Sequence, residues 1–326
     1  MHLARYFRPF AALFVCLPVA TAARTAPRVH LQPEFVKGAT FRYRIETTTS
    51  SNEHNVTPVV NPEGASEYKQ STSLVLRIDV LQVQLATPSS KRSIRFRATF
   101  EQSDSDSQTN AYAPSVATLD DAVDKLTGKW FDFSIDGANR LADIQNLTQI
   151  APDRDVAARV LSWVHVLFAP IELPADGIFV GQKWTSQREL TDLPLTNILW
   201  RNNSAYLRNE SCAASSGEKS IPGLGPNSEC ALLLTRFTVA RQGSEHSDAT
   251  PEAYLRNGLR TSGRWTGSGE SLDAISLTTG LLISSTQTST QDIDYQIRSA
   301  ASGSTIHHLG HTTTQTEITL LPNSAT

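Results

Sequence analysis

The sequence predicts a mainly β protein, a β-rich α+β fold in which a duplicated antiparallel meander forms a curved sheet or half-barrel packed on one or two short helices. Three observations support this fold class. Many segments alternate strictly between apolar and polar residues, as strands with one buried face do. Few segments have the spacing of an amphipathic helix, and landmarks in the two halves of the chain recur at one spacing.

Three alternating segments in the first half predict consecutive strands. Phe41–Thr47 and Ile94–Phe100 alternate cleanly, and a longer segment between them begins at Leu74. The parity of that segment slips near Leu81 and Val83, which predicts a β-bulge. Strands in this succession form an antiparallel meander with one apolar face.

Two polar stretches are predicted to be loops. Ser50–Ser66 contains prolines and a glycine, and Gln102–Pro114 contains alternating serines and aspartates. The second stretch lacks the turn glycine and terminal glutamate of a known calcium-binding loop, so a solvated loop is preferred.

Two helices are predicted before the second half begins. Apolar residues recur at three- and four-residue steps from Val116 to Leu126, which is typical of a short amphipathic helix. A second and more apolar helix follows Pro152. Its wide apolar stripe is predicted to pack on the open face of the meander.

The two halves share landmarks that indicate an internal duplication. The glycines of Val36–Phe41 and Phe179–Trp184 are 143 residues apart (181 − 38), and two predicted turns have glycines at Gly137 and Gly280 that are also 143 apart (280 − 137). The predicted organisation is therefore a signal peptide at 1–23, a first β-repeat half with two helices at 24–176, and a second β-repeat half with a disulfide-closed loop at 177–326.

The N-terminal segment is predicted to direct export. Two arginines precede an apolar run over residues 10–19, small residues follow, and cleavage is predicted after Ala22 or Ala23. The run is too short to anchor the chain in a membrane. The mature protein is thus expected to be periplasmic or extracellular, and soluble rather than membrane-spanning.

Charge and cysteine content set further bounds. Cleavage would leave 27 basic residues (29 − 2) against 32 acidic ones, and an acidic chain with no basic block argues against nucleic acid as a partner. Cleavage would also leave two cysteines, Cys212 and Cys230. Because an exported protein meets an oxidising compartment, we expect a disulfide between them, with a pair of buried free thiols as the alternative.

The sequence offers no strong catalytic signature. Neither the Gly-x-Ser-x-Gly elbow nor the His-Glu-x-x-His motif occurs, so no catalytic residue and no cofactor is assigned, and an enzyme is the less favoured class. The pair Asp120 and Asp121 is predicted to lie on a solvated helix face. Asp292 and Asp294 are predicted to face outward from a strand, so no acid–base pair converges in a cleft.

Histidines near the C-terminal end are the densest group of candidate metal ligands. His307 and His311 have the same parity on a predicted strand, whereas His308 faces the other way. An exposed polar strand end is preferred over a metal site, and no metal is assigned.

The motifs resemble an uncharacterised family of exported bacterial proteins, a domain of unknown function. They comprise a glycine-led opening strand, the hairpin Gly-x-Trp-Phe-x-Phe-x-Ile-Asp-Gly at residues 128–137, and Val180-Gly-x-x-Trp184. In shape, the predicted fold is also similar to the half-barrel of periplasmic lipoprotein carriers. The resemblance implies a curved sheet with helices on its concave face, and it implies no active site.

The leading functional hypothesis is an exported, non-catalytic envelope protein that binds an apolar ligand or lipid-like cargo on a concave sheet face. Trp163, Phe168 and Trp200 are the candidate lining residues. A first alternative is a structural or protein-interaction module with a filled core, whose edge strands recruit an envelope protein. A second alternative is an uncharacterised hydrolase with residues drawn from distant loops.

Overall fold

A computed structural model describes residues 27–56, 66–84, 92–110, 120–136, 140–168, 171–191, 193–212, 225 and 227–322. The predicted signal peptide, with Ala22 and Ala23, lies outside these residues. No helix in the described part of the chain is long and apolar enough to cross a membrane.

Strands account for most of the described structure. In chain order they are β1 Thr40–Val56, β2 Ser66–Gln84, β3 Ser93–Thr109, β4 Trp130–Asp136, β5 Leu141–Gln145, β6 Lys183–Leu190, β7 Ile198–Ser211, β8 Glu229–Arg241, β9 Leu259–Ser276, β10 Leu282–Ser299 and β11 Thr305–Leu321. The helices are α1 Leu147–Ile150, α2 Arg154–Phe168 and α3 Glu252–Arg256.

All eleven strands form one curved, open antiparallel sheet. Its order is β5-β4-β3-β2-β1-β11-β10-β9-β8-β7-β6, so sequence neighbours pair throughout except at the centre, where β1 pairs with β11. The predicted fold class is confirmed, and the two predicted halves of the chain share one continuous sheet.

The sheet has one apolar face, which we call the inward face because the main helix packs on it. Alternate residues of β2 and β3 point into this core, including Leu74, Leu76 and Phe96, each with no exposed surface. Since strand residues alternate between faces, the strict alternation in the sequence fixes which side of the sheet is buried.

Helix α2 covers one end of the inward face. Val156, Val160 and Val164 are buried against the sheet. Asp153 caps the helix, because its carboxylate accepts the backbone N–H groups of Asp155 at 2.8 Å and Val156 at 3.2 Å. This cap fixes where the predicted apolar helix begins.

Two of the predicted loops are partly strand. β1 continues through Ser50 to Val56, and β3 continues through Gln102 to Thr109. The serine–aspartate stretch pairs residue by residue with β2, so cross-strand hydrogen bonds override its polar composition. Ser103–Ser107 is thus a strand segment and not a solvated loop.

Local details follow the sequence more closely. The register between β2 and β3 shifts between Val80 and Gln82, which confirms the predicted bulge. Residues 120–124 are helical, within the first predicted helix, whose earlier residues lie outside the described ones.

The two glycine-led openings have the same local geometry. Gly38 and Gly181 adopt φ angles of 84° and 87°. Ala39 donates its N–H to Val36 O at 3.0 Å, and Gln182 donates to Phe179 O at 2.9 Å. Gly137 lies outside the described residues, so the division into repeat halves stays a prediction.

Candidate functional site

Two adjacent rows of uncharged side chains cross the inward face beyond α2. Each row takes one residue from each of β7, β8, β9, β10, β11, β1, β2 and β3, in that order. The first row is Ser204, Thr235, Ser271, Gln287, Thr316, Thr47, Thr72 and Ser105. The second row is Asn202, Phe237, Gly269, Ser289, Thr314, Thr49, Gln70 and Ser107. We call these two rows the hydroxyl band.

The opposite face of the same strands has a different chemistry. The outward row that runs between the two inward rows contains Arg236, Glu270 and Asp106. A solvated sheet face commonly carries such charges, as the outward face does. The absence of charge is therefore confined to these two rows, because the inward row on one side of them contains Asp273 and the inward row on the other side contains Arg188.

The band is covered at its ends and more open in its middle. Gln70, Thr72 and Ser105 at one end are buried, as are Ser204 and Thr235 at the other. The band residues of β9, β10, β11 and β1 are half-buried. The curved sheet thus presents a polar trough whose open part spans its four central strands.

Hydrogen bonds link some of the hydroxyl groups and leave others available. Thr47 and Thr316 hydroxyls lie 3.4 Å apart, as do those of Thr49 and Thr314. Such cross-strand pairs stabilise the sheet. Among the described residues, no hydrogen-bond partner contacts the side chains of Gln287 and Ser289, which therefore remain free to bind a ligand.

An aromatic group borders the band at the β7–β9 end. Trp200 stacks on Phe237 with ring centroids 4.3 Å apart, and its Nε1 donates to Asn202 Oδ1 at 2.6 Å. Trp265 packs against the same small cluster. A side chain at Gly269 would collide with the Phe237 ring, so this glycine makes room for the aromatic ring to lie across β9.

A buried carboxyl group belongs to the inward row next to the band. Asp273 is 1% exposed, and it accepts a hydrogen bond from Ser271 Oγ at 2.9 Å. Burial raises the pKa of Asp273 to about 6, although hydrogen bonds from Ser285 and Ser271 oppose the rise. A carboxylate in so dry a position is costly for the fold at neutral pH.

The β2–β3 end of the band is held by a polar cluster. Asp120 accepts hydrogen bonds from Gln70 Nε2 at 2.8 Å, from Ser105 Oγ at 2.7 Å and from Ser107 Oγ. Arg159 of α2 donates to Gln70 Oε1 at 2.5 Å. Asp120 was predicted to lie on a solvated face, and this is wrong because the helical turn places it against three strand side chains.

The electrostatics of Asp120 reflect these contacts. Burial alone would raise its pKa, but the hydrogen bonds from Ser107, Ser105 and Gln70, with Arg159 nearby, hold the pKa of Asp120 below its usual range. A carboxylate with a depressed pKa stabilises the fold above its unfolded-state pKa, and this contribution is lost as the pH falls through the folded-state value.

We expect Asp120→Asn to lower the free energy of unfolding by about 1 kcal/mol at pH 7, because the amide cannot accept all the hydrogen bonds that the carboxylate accepts. Urea denaturation measures the change. Asp121→Asn, at an exposed neighbouring position, is the control and should change stability little. Equal stability of the two variants would contradict the role assigned to Asp120.

The three predicted lining residues are not brought together. Trp163 and Phe168 are each 7% exposed and belong to the main core. Trp200 belongs to the separate small cluster at the aromatic border. Sequence reasoning did not identify the hydroxyl band, although threonine and serine at alternate positions of neighbouring strands are visible in the sequence.

Phe168 also borders a small groove at the end of α2, with a volume of about 20 Å³. The groove is lined by Phe35, Ile94, Ile135 and Arg92 among others. Arg92 donates to Pro33 O at 3.1 Å, while its buried Nε has no partner among the described residues. The groove is the nearest that the described core comes to the predicted apolar site.

The candidate metal ligands lie on the outward face. His307 Nε2 is 2.7 Å from Asp294 Oδ1, and His311 Nδ1 is 2.7 Å from Asp292 Oδ1. His308 faces inward, where it stacks on Tyr295 at 4.7 Å. The described residues contain no group of three or more side chains placed to hold a metal ion.

The disulfide between Cys212 and Cys230 is confirmed. Their Cα atoms lie 5.0 Å apart, within the usual range for a disulfide. Both cysteines are buried at the end of the main core, so the bond joins the end of β7 to the start of β8.

Comparison with known proteins adds little. No protein-family model and no curated protein matches the sequence, so the resemblance to an exported bacterial family receives no support. One similar solved structure is described as lipid–protein interactions in lipovitellin, with 13% identity, 90% of this chain covered and a TM-score of 0.42. This chain covers 26% of that one, and overlap at that level does not establish a common fold.

Proposed function

We propose that the protein is an exported, non-catalytic ligand-binding protein of the cell envelope, and that the open part of the hydroxyl band is its binding surface. The observation that carries the proposal is the absence of charged side chains from the two rows of the band, set against the charged outward row of the same strands. Half-buried polar groups in a concave surface are the usual means by which a site orients a ligand.

The proposed ligand is uncharged and carries hydroxyl groups as well as an apolar side. The residues of the inward face that pack with α2 belong to the main apolar core. An apolar portion of the ligand would instead contact Trp200 and Trp265. The ligand therefore differs from the apolar ligand or lipid-like cargo that the sequence favoured.

A second candidate rests on the groove beside Phe168. An apolar chain ending in an anionic group would place that group near Arg92, whose Nε has no partner among the described residues. The groove is small, about 20 Å³, so the hydroxyl band is preferred.

Native mass spectrometry of protein exported to a bacterial periplasm and purified without detergent tests the proposal. The wild type is expected to carry extra non-protein mass. Ser289→Lys, which puts a charge in the open part of the band, should carry none, because an uncharged ligand cannot offset the desolvated ammonium group. A bare wild-type mass would contradict the proposal.

Thr288→Lys is the matched control, because it puts the same charge on the outward face of the same strand. It should keep the extra mass. Retention of the extra mass by both variants would contradict the band as the binding surface and indicate that the cargo is held elsewhere, for instance in the groove beside Phe168, which Phe168→Ala would then test.

A further inference from the structure

The repeat of polar groups across the open band matches an extended polymer better than a compact ligand. The open band takes Gln287 and Ser289 from β10, Thr314 from the adjacent β11 and Thr49 from β1, which pairs with β11. Neighbouring strands lie about 4.8 Å apart, so the stretch from β9 to β1 covers roughly 14 Å. The strand spacing is close to the length of one sugar in an extended pyranose chain, so each successive sugar can meet the side chains of the next strand.

The chemistry of the band suits sugar hydroxyl groups. Serine and threonine hydroxyls both donate and accept, and the glutamine amide offers two donors and a carbonyl acceptor. A sugar hydroxyl has the same double capacity, so either partner can take either role. No charged side chain belongs to the two rows, so the open middle of the band offers an acidic sugar no cation. Arg159, at the β2–β3 end, is hydrogen-bonded to Gln70.

The aromatic border supplies the apolar contact that such a ligand needs. Trp200 and Trp265 are half-buried. Phe237 stacks on Trp200 and the Arg188 guanidinium lies 5.5 Å from the centre of the Trp200 ring, so a sugar would contact the exposed parts of Trp200 and Trp265. One face of a pyranose ring carries mainly C–H groups, which pack well on an aromatic face because the ring's π-system is negative there. The hydroxyl groups of the band thus suit the hydroxyl groups of a sugar chain, and the aromatic residues at its end suit the C–H face of a sugar ring.

We infer that the ligand of the hydroxyl band is an uncharged polysaccharide, bound in extended form across the strands with its leading sugar against Trp200 and Trp265. This inference rests on the proposed function. It adds the ligand class, the direction in which the ligand lies and the aromatic residues at one end of it.

Affinity electrophoresis of the full chain in native gels tests the inference. The gels would contain a soluble neutral glucan, mannan or xylan, with a polyuronate gel for comparison. The wild type is expected to be retarded by at least one neutral polysaccharide and not by the polyuronate. Absence of retardation in all three neutral gels would overturn the inference, as would retardation in the polyuronate gel alone.

A pair of double variants separates binding from folding. Thr49→Val with Thr314→Val removes two inward hydroxyls at nearly constant shape and strand propensity, and should weaken binding by roughly tenfold or more. Thr48→Val with Thr313→Val makes the same change on the outward face and should bind as the wild type does. Equal affinity of the two double variants would contradict the inference.

Failure of the proposed ligand class and failure of the proposed binding surface would give different results. Cargo that is lost in Ser289→Lys but proves to be a lipid, together with no retardation by neutral polysaccharides, would leave the binding surface in place and overturn the ligand class. A dimer whose formation is abolished by Ser289→Lys in light scattering, with no cargo and no retardation, would overturn both, because a second copy would then cover the band.

Discussion

Replacing Asp273 by asparagine is expected to stabilise the protein by about 3 kcal/mol at pH 8, because the folded state then no longer buries a carboxylate. Asp273 is 1% exposed, and its pKa is about 6 in the folded protein against 3.8 for the ordinary group. The difference of about two pH units, at about 1.4 kcal/mol for each, gives this magnitude.

The sign of this stability change follows from which protonation state of Asp273 the folded protein favours. With a folded-state pKa above the unfolded one, the protonated form is favoured by folding. Its contribution is fully present below pH 3.8 and is lost as the pH rises through about 6. The wild type and Asp273→Asn should therefore differ little near pH 3.5 and most above pH 7.

Urea denaturation of both proteins at several pH values measures the effect. Asp104→Asn, at an exposed position on the outward side of β3, is the control and should show no such pH-dependent difference. A variant that is less stable than the wild type at pH 8 would show that the hydrogen bonds from Ser271 and Ser285 matter more than the burial of charge.

Removing the disulfide is expected to destabilise the protein by about 3 kcal/mol, the loss that chain entropy assigns to a loop of this length. Cys212 and Cys230 are separated by 18 positions, and both are buried. The double substitution Cys212→Ala and Cys230→Ala avoids leaving a single reactive thiol in the core.

Guanidinium denaturation measures this loss, and wild type treated with a reducing agent should approach the double variant. The slope of unfolding free energy against denaturant is expected to rise, because the unfolded chain without the bond exposes more surface. Equal stability of oxidised and reduced wild type would contradict the contribution assigned to the disulfide.

Much of the fold could be predicted because apolar and polar residues alternate regularly in the core strands. Phe41–Thr47 and Ile94–Phe100 place their apolar residues on one side, and one apolar segment after Pro152 has helical spacing. The extensions of β1 and β3 were missed because their residues are polar on both faces, so alternation of hydropathy carries no signal there. Their strand structure comes from pairing with β2 and, for β1, also with β11.

The candidate site was harder to predict for the same reason. Thr49 and Thr314 are 265 positions apart, and their proximity depends on the pairing of β1 with β11. Nothing in either local sequence specifies that pairing. A search for apolar lining residues found Trp163 and Phe168, which pack in the core, because hydrophobicity predicts burial and not the ability to bind.

The pairing of β1 with β11 also governs how the chain reaches its folded state. Most pairings join sequence neighbours and can form early, but this central one must close a loop of more than two hundred residues, which is slow. Until β11 is in place, β1 and β10 each present a long unpaired edge. A β11 segment from another copy offers the same hydrogen bonds, so strand exchange between copies competes with folding, and more strongly as the protein concentration rises.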